Sequence, residues 1–284
     1  MNFEEHAAKP LLRAAGIDTP KGRLARSPGE AAAVAAELGR CVLKAQVPTG
    51  KRGKAGGIKL VAGADEAEAA ATAILGMTIG EHRVASLLVE QQVPIAHEMY
   101  AAVLNDPGTK SPLLLFSAQG GMDIEEIAAK HPDTLVRLPI DIRHGPDPKA
   151  IDRALTMPLP CDRSALIALL DRLYTAYAAN DAELMEINPL VLTADGRLMA
   201  LDCKYTMDDS GIPRHEQLAK TGTPDKLTEL EARGKALGLK FIELDGSVGV
   251  LANGAGLTMT TMGCCAPLRR RARELHGDRR RELH

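Results

Sequence analysis

A run of strand character that carries one lysine, Val42-Leu-Lys-Ala-Gln-Val47, leads into Pro-Thr-Gly-Lys-Arg-Gly-Lys-Ala-Gly-Gly57 and then into Ile-Lys-Leu-Val61. Glycines let backbone N–H groups approach phosphate oxygens, and Lys44, Lys51, Arg52 and Lys54 would supply the compensating charge. The spacing is not GxxxxGK[ST], which excludes a P-loop. A solvated basic hairpin loop is the competing reading of the same residues.

A second segment runs from Leu184-Met-Glu-Ile-Asn-Pro-Leu-Val-Leu-Thr193 through Ala-Asp-Gly196 to Arg197-Leu-Met-Ala-Leu-Asp-Cys-Lys-Tyr-Thr206. With a three-residue loop and Gly196 left-handed, pairing starts at Thr193 with Arg197. Counting outward, Asn188 then lies opposite Asp202 and Glu186 opposite Lys204. A two-residue Asp-Gly loop would shift the register by one and split Asn188 from Asp202. Oxygen ligands brought together on paired strands suit a hard cation such as Mg²⁺ that keeps waters and binds phosphates; a hairpin with solvated polar residues is the plain alternative. A third segment is Leu87-Leu-Val-Glu90, followed by Glu98 in Ile95-Ala-His-Glu-Met-Tyr100. Backbone groups there could meet a purine and Glu98 the ribose hydroxyls, although an isolated glutamate is more often a surface charge.

The elements that must hold these residues are mixed. Phe3, Ala7, Ala8, Leu11, Leu12 and Ala15 recur at helical spacing up to Gly16, and Ser27-Pro-Gly-Glu30 opens an alanine-rich helix over 31–38. Strands are expected at 41–47, 58–61, 86–90, 100–105 and 113–117, with helices at 66–75 and 164–179. Alternating strands and helices predict an α/β or α+β protein. The 284 residues are 45% hydrophobic and 25% charged, with a net charge of −2, the composition of a globular protein. With 2% aromatic residues and no Trp, base-stacking platforms are disfavoured. The N-terminus lacks the apolar stretch of a signal peptide or membrane anchor, which leads to an expected cytoplasmic location with no membrane partner. Cys41, Cys161, Cys203, Cys264 and Cys265 have no zinc-like spacing and fit a reducing compartment.

Taken in order, VLKAQVPTGKRGKAGGIKLV, LLVEQ, FSAQGGMDIEEIA, MEINPLVLTADGRLMALDCK and LDGSVGVLANGAGLTMTTM resemble the β subunits of ADP-forming acyl-CoA synthetases, among them the succinate and malate enzymes. The resemblance spans residues 1–262 and implies an ATP-grasp fold of two subdomains. Domains are then expected at 1–235 (ATP-grasp, with 20–95 as a nucleotide-covering insertion) and at 241–262. The latter would be the first β-α piece of a Rossmann- or flavodoxin-like CoA-ligase domain, truncated after it.

By the same resemblance, Lys44, Lys51, Arg52 and Gly53 contact phosphates of ATP or GTP, Glu90 and its neighbours to Val93 line the adenine pocket, and Glu98 meets the ribose. Asn188 and Asp202 take Mg²⁺, and Asn253 matches a substrate-site position. The implied reaction joins succinate, or malate, to CoA with cleavage of NTP to NDP and phosphate. It passes through a phosphohistidine on a partner α subunit, so no histidine here needs a catalytic role. Lys51 in place of the usual Gly, Gln119 in place of a frequent Glu, and Pro48 depart from the pattern and leave the carboxylate open. A nucleotide-binding fragment without ligase activity is the rival reading. Nucleic-acid binding through the arginine-rich end lacks aromatic residues and a recognisable binding fold.

Residues 263–284 read as the family sequence in a shifted frame. Dropping the first base of each codon after Met262 allows DVVRHYGGAPENFTEIGGENY, turning CG-initial arginine codons into glycine codons. No defined fold is expected there, and Val248–Leu251 is expected to lack a sheet neighbour.

Overall fold

Strand and helix signals along the sequence resolve, in a computed structural model describing residues 1–50, 52–122, 124, 134–223, 227–244, 246, 248–265 and 272–275, into two compact units, Met1–Pro224 and Asp225–His284. The first unit runs β1 (Asn2–Phe3), α1 (Glu5–Ala14), β2 (Gly22–Ala25), α2 (Pro28–Leu38), β3 (Cys41–Ala45), β4 (Ile58–Val61), α3 (Ala64–Ile74), β5 (Thr78–Ile79), β6 (His82–Arg83) and β7 (Leu87–Gln91). It continues with β8 (Ile95–Asp106), β9 (Ser111–Ser117), β10 (Leu135–Pro139), α4 (Pro148–Ala154), α5 (Arg163–Ala179), β11 (Ala182–Thr193), β12 (Leu198–Ala200) and β13 (Lys204–Met207). Ser27 caps α2 as the sequence signals, accepting from the Glu30 amide at 3.2 Å, while the Glu30 carboxylate reaches back to the Arg26 amide.

A small antiparallel sheet has the order β2-β7-β3-β4. Alternation along its central strands decides what each face does. Cys41, Leu43 and Ala45 of β3, with Leu87 and Val89 of β7, pack into one core with Ala31, Val34 and Ala35 of α2 and Ala67, Ala71 and Ile74 of α3. The intervening residues on both strands therefore point the other way, and these include Lys44 and Glu90. A larger sheet has the order β1-β13-β11-β8-β9-β10, with β12 paired to β11. Its core face carries Met99, Ala101, Val103, Phe116, Met185 and Ile187 against Ala8 and Leu12 of α1 and Leu166, Leu170 and Leu173 of α5. Those α5 positions recur at helical spacing, and Asp162 caps the helix by accepting from the Ala165 amide at 2.7 Å. Strand β8 extends to Ile95, beyond the expected 100–105, because it follows β11 across to Thr193.

The β11–β12 turn takes the three-residue form. The Thr193 amide donates to the Arg197 carbonyl at 2.8 Å, the Gly196 amide donates to the Thr193 carbonyl at 2.9 Å, and Gly196 has φ 83°. No atom lies within 4 Å of where a Gly196 Cβ would stand, so a side chain there meets only backbone strain. Gly196→Val is expected to lower stability by about 1–2 kcal/mol, read as a shifted urea midpoint.

In the second unit, α6 (Glu229–Ala236) starts at a capping box formed by Thr228 and Glu231. It lies with the second unit, whereas the sequence boundary had 235 close the first. Beyond it, β14 (Val248–Leu251) leads through α7 (Ala255–Cys265) to a parallel β15 (Ala272–Leu275). The expectation that Val248–Leu251 lacks a sheet neighbour and that regular structure stops at Met262 is thus not met at these positions. A helix of three turns gives the crossover length that a parallel neighbour needs. The remaining tail residues, 266–271 and 276–284, lie outside the described residues. Among the described residues no helix is long and apolar enough to cross a membrane.

Candidate functional site

Because Lys44 and Glu90 sit diagonally on the face of the small sheet turned away from its core, they are free to meet α1. Helix α1 presents Glu5 and Lys9, one turn apart and on the same side as the buried Ala8 and Leu12. The Lys9 ammonium donates to both Glu90 oxygens at 2.6 Å and lies 2.7 Å from Glu5 Oε1. The Lys44 ammonium donates to Glu5 Oε1 at 2.8 Å and lies 2.9 Å from Glu90 Oε2. Both lysines also donate to the carbonyl of Leu201. Arg52 completes the group: its Nη2 is 2.8 Å from Glu5 Oε2 and 2.6 Å from Asp202 Oδ2, and its Nη1 donates to the Ala45 carbonyl at 3.0 Å.

Three cations and three carboxylates therefore balance, and the side chains of Glu5, Lys9 and Glu90 are at most 3% exposed. Burial alone would raise the Glu5 carboxyl, but Lys44, Lys9 and Arg52 outweigh it and hold it well below the usual carboxylate range. Burial would lower the Lys44 ammonium, and Glu5, Glu90 and Asp202 instead keep it above its ordinary value. A depressed carboxyl contributes its full stabilisation above the unfolded-state value and loses it as pH falls through the folded one. The urea midpoint is accordingly expected to fall as pH drops below the ordinary value of 4.5, and to fall less steeply in Glu5→Gln.

Next to this cluster lies a cleft of about 390 Å³, lined by Arg52, Gly53, Lys54, Gly121, Glu186, Asn188, Asp202 and Lys204 among others. The hairpin register expected from Gly196 is the one found: Leu190 pairs with Ala200 and Glu186 with Lys204. Ladder pairing lapses between them, where Asn188 of β11 and Asp202, in the gap between β12 and β13, line the same cleft. Asn188 is held by the backbone of Gly121 and Met122. Its Oδ1 accepts from the Gly121 amide at 2.9 Å and its Nδ2 donates to the Met122 carbonyl at 2.9 Å.

At Gly120 backbone leaves no room for a side chain, and at Gly121 the left-handed backbone favours glycine. A Cβ on Gly120 would come 2.2 Å from the Met99 carbonyl oxygen, and Gly121, at φ 74°, would place one 2.1 Å from Glu98 Oε2. Asp202 holds Arg52 through Oδ2 and accepts from the Cys203 amide through Oδ1 at 2.7 Å. Among the described residues no group of three His, Cys, Asp or Glu is arranged to hold a metal alone. One carboxylate and one amide oxygen on a shared cleft fit Mg²⁺ when phosphate oxygens and water complete the shell.

A second cleft of about 580 Å³ lies where the linker after β7 meets the β11–β12 turn, between Pro20, Lys21, Gln91, Gln92, Val93, Pro94, Thr193 and Arg197 among others. Val93 is one of its wall residues. Glu90 itself is not: alternation turns it into the ion cluster, where it bridges Lys9 and Lys44. Glu98 stands beside Gly121 on β8, opposite Val191. Asn253 is exposed in the bend that precedes α7 of the second unit. Lys51 lies outside the described residues. Glu5 and Lys9 were missed in the sequence, though both charges fall in phase with Ala8 and Leu12 on an apolar helix face.

Comparison with known proteins adds the lineage. An ATP-grasp domain family matches residues 2–192. The succinate–CoA ligase [ADP-forming] subunit beta of Rubrobacter xylanophilus is 42% identical over 94% of this chain and 70% of its own length. The succinate–CoA ligase [GDP-forming] subunit beta of Thermus thermophilus is 41% identical over 92% of this chain and 70% of its own. Among solved structures, ATP citrate lyase from Methanothrix soehngenii superposes with a TM-score of 0.66 at 21% identity, over 98% of this chain and 72% of that one. The dinucleotide-forming acetyl-coenzyme A synthetase 1 of Ca. Korarchaeum cryptofilum gives 0.61 at 21% identity, over 73% and 93%. At such identities the last two speak for the fold.

Proposed function

The chain belongs to the β-subunit family of the succinate–CoA ligases, built on an ATP-grasp domain, and from that premise we propose that it is the nucleotide-binding subunit of an ADP-forming carboxylate–CoA ligase. The observation that carries the reading is the meeting of Asn188, Asp202 and Arg52 on one cleft, with Lys44 directly behind it. In this reading ATP or GTP lies with its base toward the linker at Val93, its ribose near Glu98, and its phosphates at Lys44, Arg52 and Gly53. Lys44 and Arg52 neutralise phosphate charge, and the glycine loop brings backbone amides close without side-chain interference. Asn188 and Asp202 would hold Mg²⁺, which when bound neutralises and orients the phosphates.

Acyl-CoA formation would then need a partner α subunit that supplies the phosphorylated histidine, with succinate or malate as the carboxylate and CoA as acceptor. Catalysis by this chain is positioning and charge neutralisation.

The test is calorimetry of ATP and GTP with the purified chain, followed by acyl-CoA formation with a matched α subunit across succinate and malate. Binding that tightens with Mg²⁺, and turnover only with the partner, are the expected results. A chain that binds neither nucleotide overturns the reading. The frame reading of residues 263–284 has its own test. Resequencing across the Met262 codon rejects it if the frame is uninterrupted and the alternative frame encodes no NF and GG segment.

A further inference from the structure

We infer that Glu5 is a positioning residue for the cleft: it keeps Lys44 and Arg52 aimed at a polyphosphate when Asp202 gives up its ion pair with Arg52. The inference rests on the nucleotide-binding reading above, and extends it to a residue whose own partners are Lys9, Lys44 and Arg52.

Glu5 is the carboxylate that Lys44 and Arg52 share, one on each oxygen. Its side chain is 1% exposed and rises from the first turn of a helix whose next turn is locked into the core by Ala8 and Leu12. It cannot swing out without dragging that helix. Asp202 differs: its side chain is 31% exposed, and it faces the cleft where an incoming anion and its cation would arrive. A carboxylate near solvent is the partner that exchange removes first, because water and ions can replace what it offers. Once Asp202 lets go, Arg52 is still held by Glu5 and by the Ala45 carbonyl, and Lys44 by Glu5, Glu90 and the Leu201 carbonyl. The two cations then stay in place with one carboxylate fewer competing for them. No bond is made or broken in this exchange; ion pairs are traded.

The experiment uses the full chain and calorimetric titration with ATP, with and without Mg²⁺. Glu5→Gln is expected to weaken Mg²⁺-free ATP binding by roughly tenfold or more, since two buried cations lose their common anchor, while leaving the fold gain on adding Mg²⁺ unchanged. Asp202→Asn is expected to do the reverse: Mg²⁺-free ATP binds more tightly and the Mg²⁺ gain disappears. Glu5→Gln combined with Lys9→Met restores the cluster's charge balance, and with it the urea midpoint, but not ATP affinity.

If the double variant regains affinity along with stability, Glu5 is structural only and the inference falls. It falls equally if Glu5→Gln binds ATP as the unaltered chain does, or if Asp202→Asn weakens Mg²⁺-free binding. Should the unaltered chain bind no ATP at all, it is the nucleotide-binding reading that fails.

Discussion

Replacing Asp202 by Ala is expected to erase the dependence of nucleotide binding on Mg²⁺, whereas Glu4→Ala leaves it intact. Asp202 is the one carboxylate of the ion cluster with substantial exposure toward the cleft, and Asn188 opposite it offers only an amide oxygen already accepting from Gly121. Removing the carboxylate leaves a hard cation with one weak protein ligand, and a site that binds Mg²⁺ largely through phosphates cannot recover the lost charge. Titrating ATP at several Mg²⁺ concentrations should give one affinity for the variant and a rising series for the unaltered chain. Glu4 is a fair control: it precedes α1 without capping it, and its contact is with His6 at 3.3 Å, outside the cluster.

Glu90→Leu is expected to destabilise the first unit by about 3–5 kcal/mol, because it leaves Lys9 and Lys44 in a buried site with Glu5 as the single carboxylate they share. Urea unfolding followed by circular dichroism measures it. The sequence reading, with Glu90 on the adenine pocket, expects a different result: weaker nucleotide binding and an unchanged midpoint. The two outcomes separate a residue that ties α1 to the small sheet from one that greets the ligand. Removing Lys9 at the same time as Glu90 should return part of the loss, since a buried pair costs less to delete together than to break.

The parts of the site that were legible in the sequence are those set by local rules. Gly196 with a three-residue loop fixes the hairpin register, and period-two alternation carries that register outward to Glu186 and Lys204. Helix α5 was readable because Leu166, Leu169, Leu170 and Leu173 recur at helical spacing, and Ser27 and Glu30 mark the start of α2 by their chemistry.

The ion cluster was not readable, for a reason of distance along the chain. Lys9 and Glu90 are separated by 81 residues, and neither strand nor helix pattern records which charge will meet which. A glutamate at the end of an apolar strand reads as a wall residue or a surface charge until the opposite face of the sheet is known to be closed by α1. The Gly120–Gly121 pair was read as part of a family motif; its physical cause, the approach of that loop to the backbone of Met99, needs three dimensions to see.

The lapse in pairing between β12 and β13 leaves the carbonyl of Leu201 outside the sheet ladder, and lysines from two different elements, α1 and β3, both donate to it. A backbone oxygen has no side chain through which selection can alter it. Drift at position 201 can therefore exchange leucine for other residues of similar size without touching the contact, provided that the amide stays available for its own bond to the Pro189 carbonyl. Only proline, which lacks that amide, is barred outright. In a family compared by residue identity, this anchor would leave no trace at the position that provides it. Its mark would appear instead on the donors, Lys9 and Lys44.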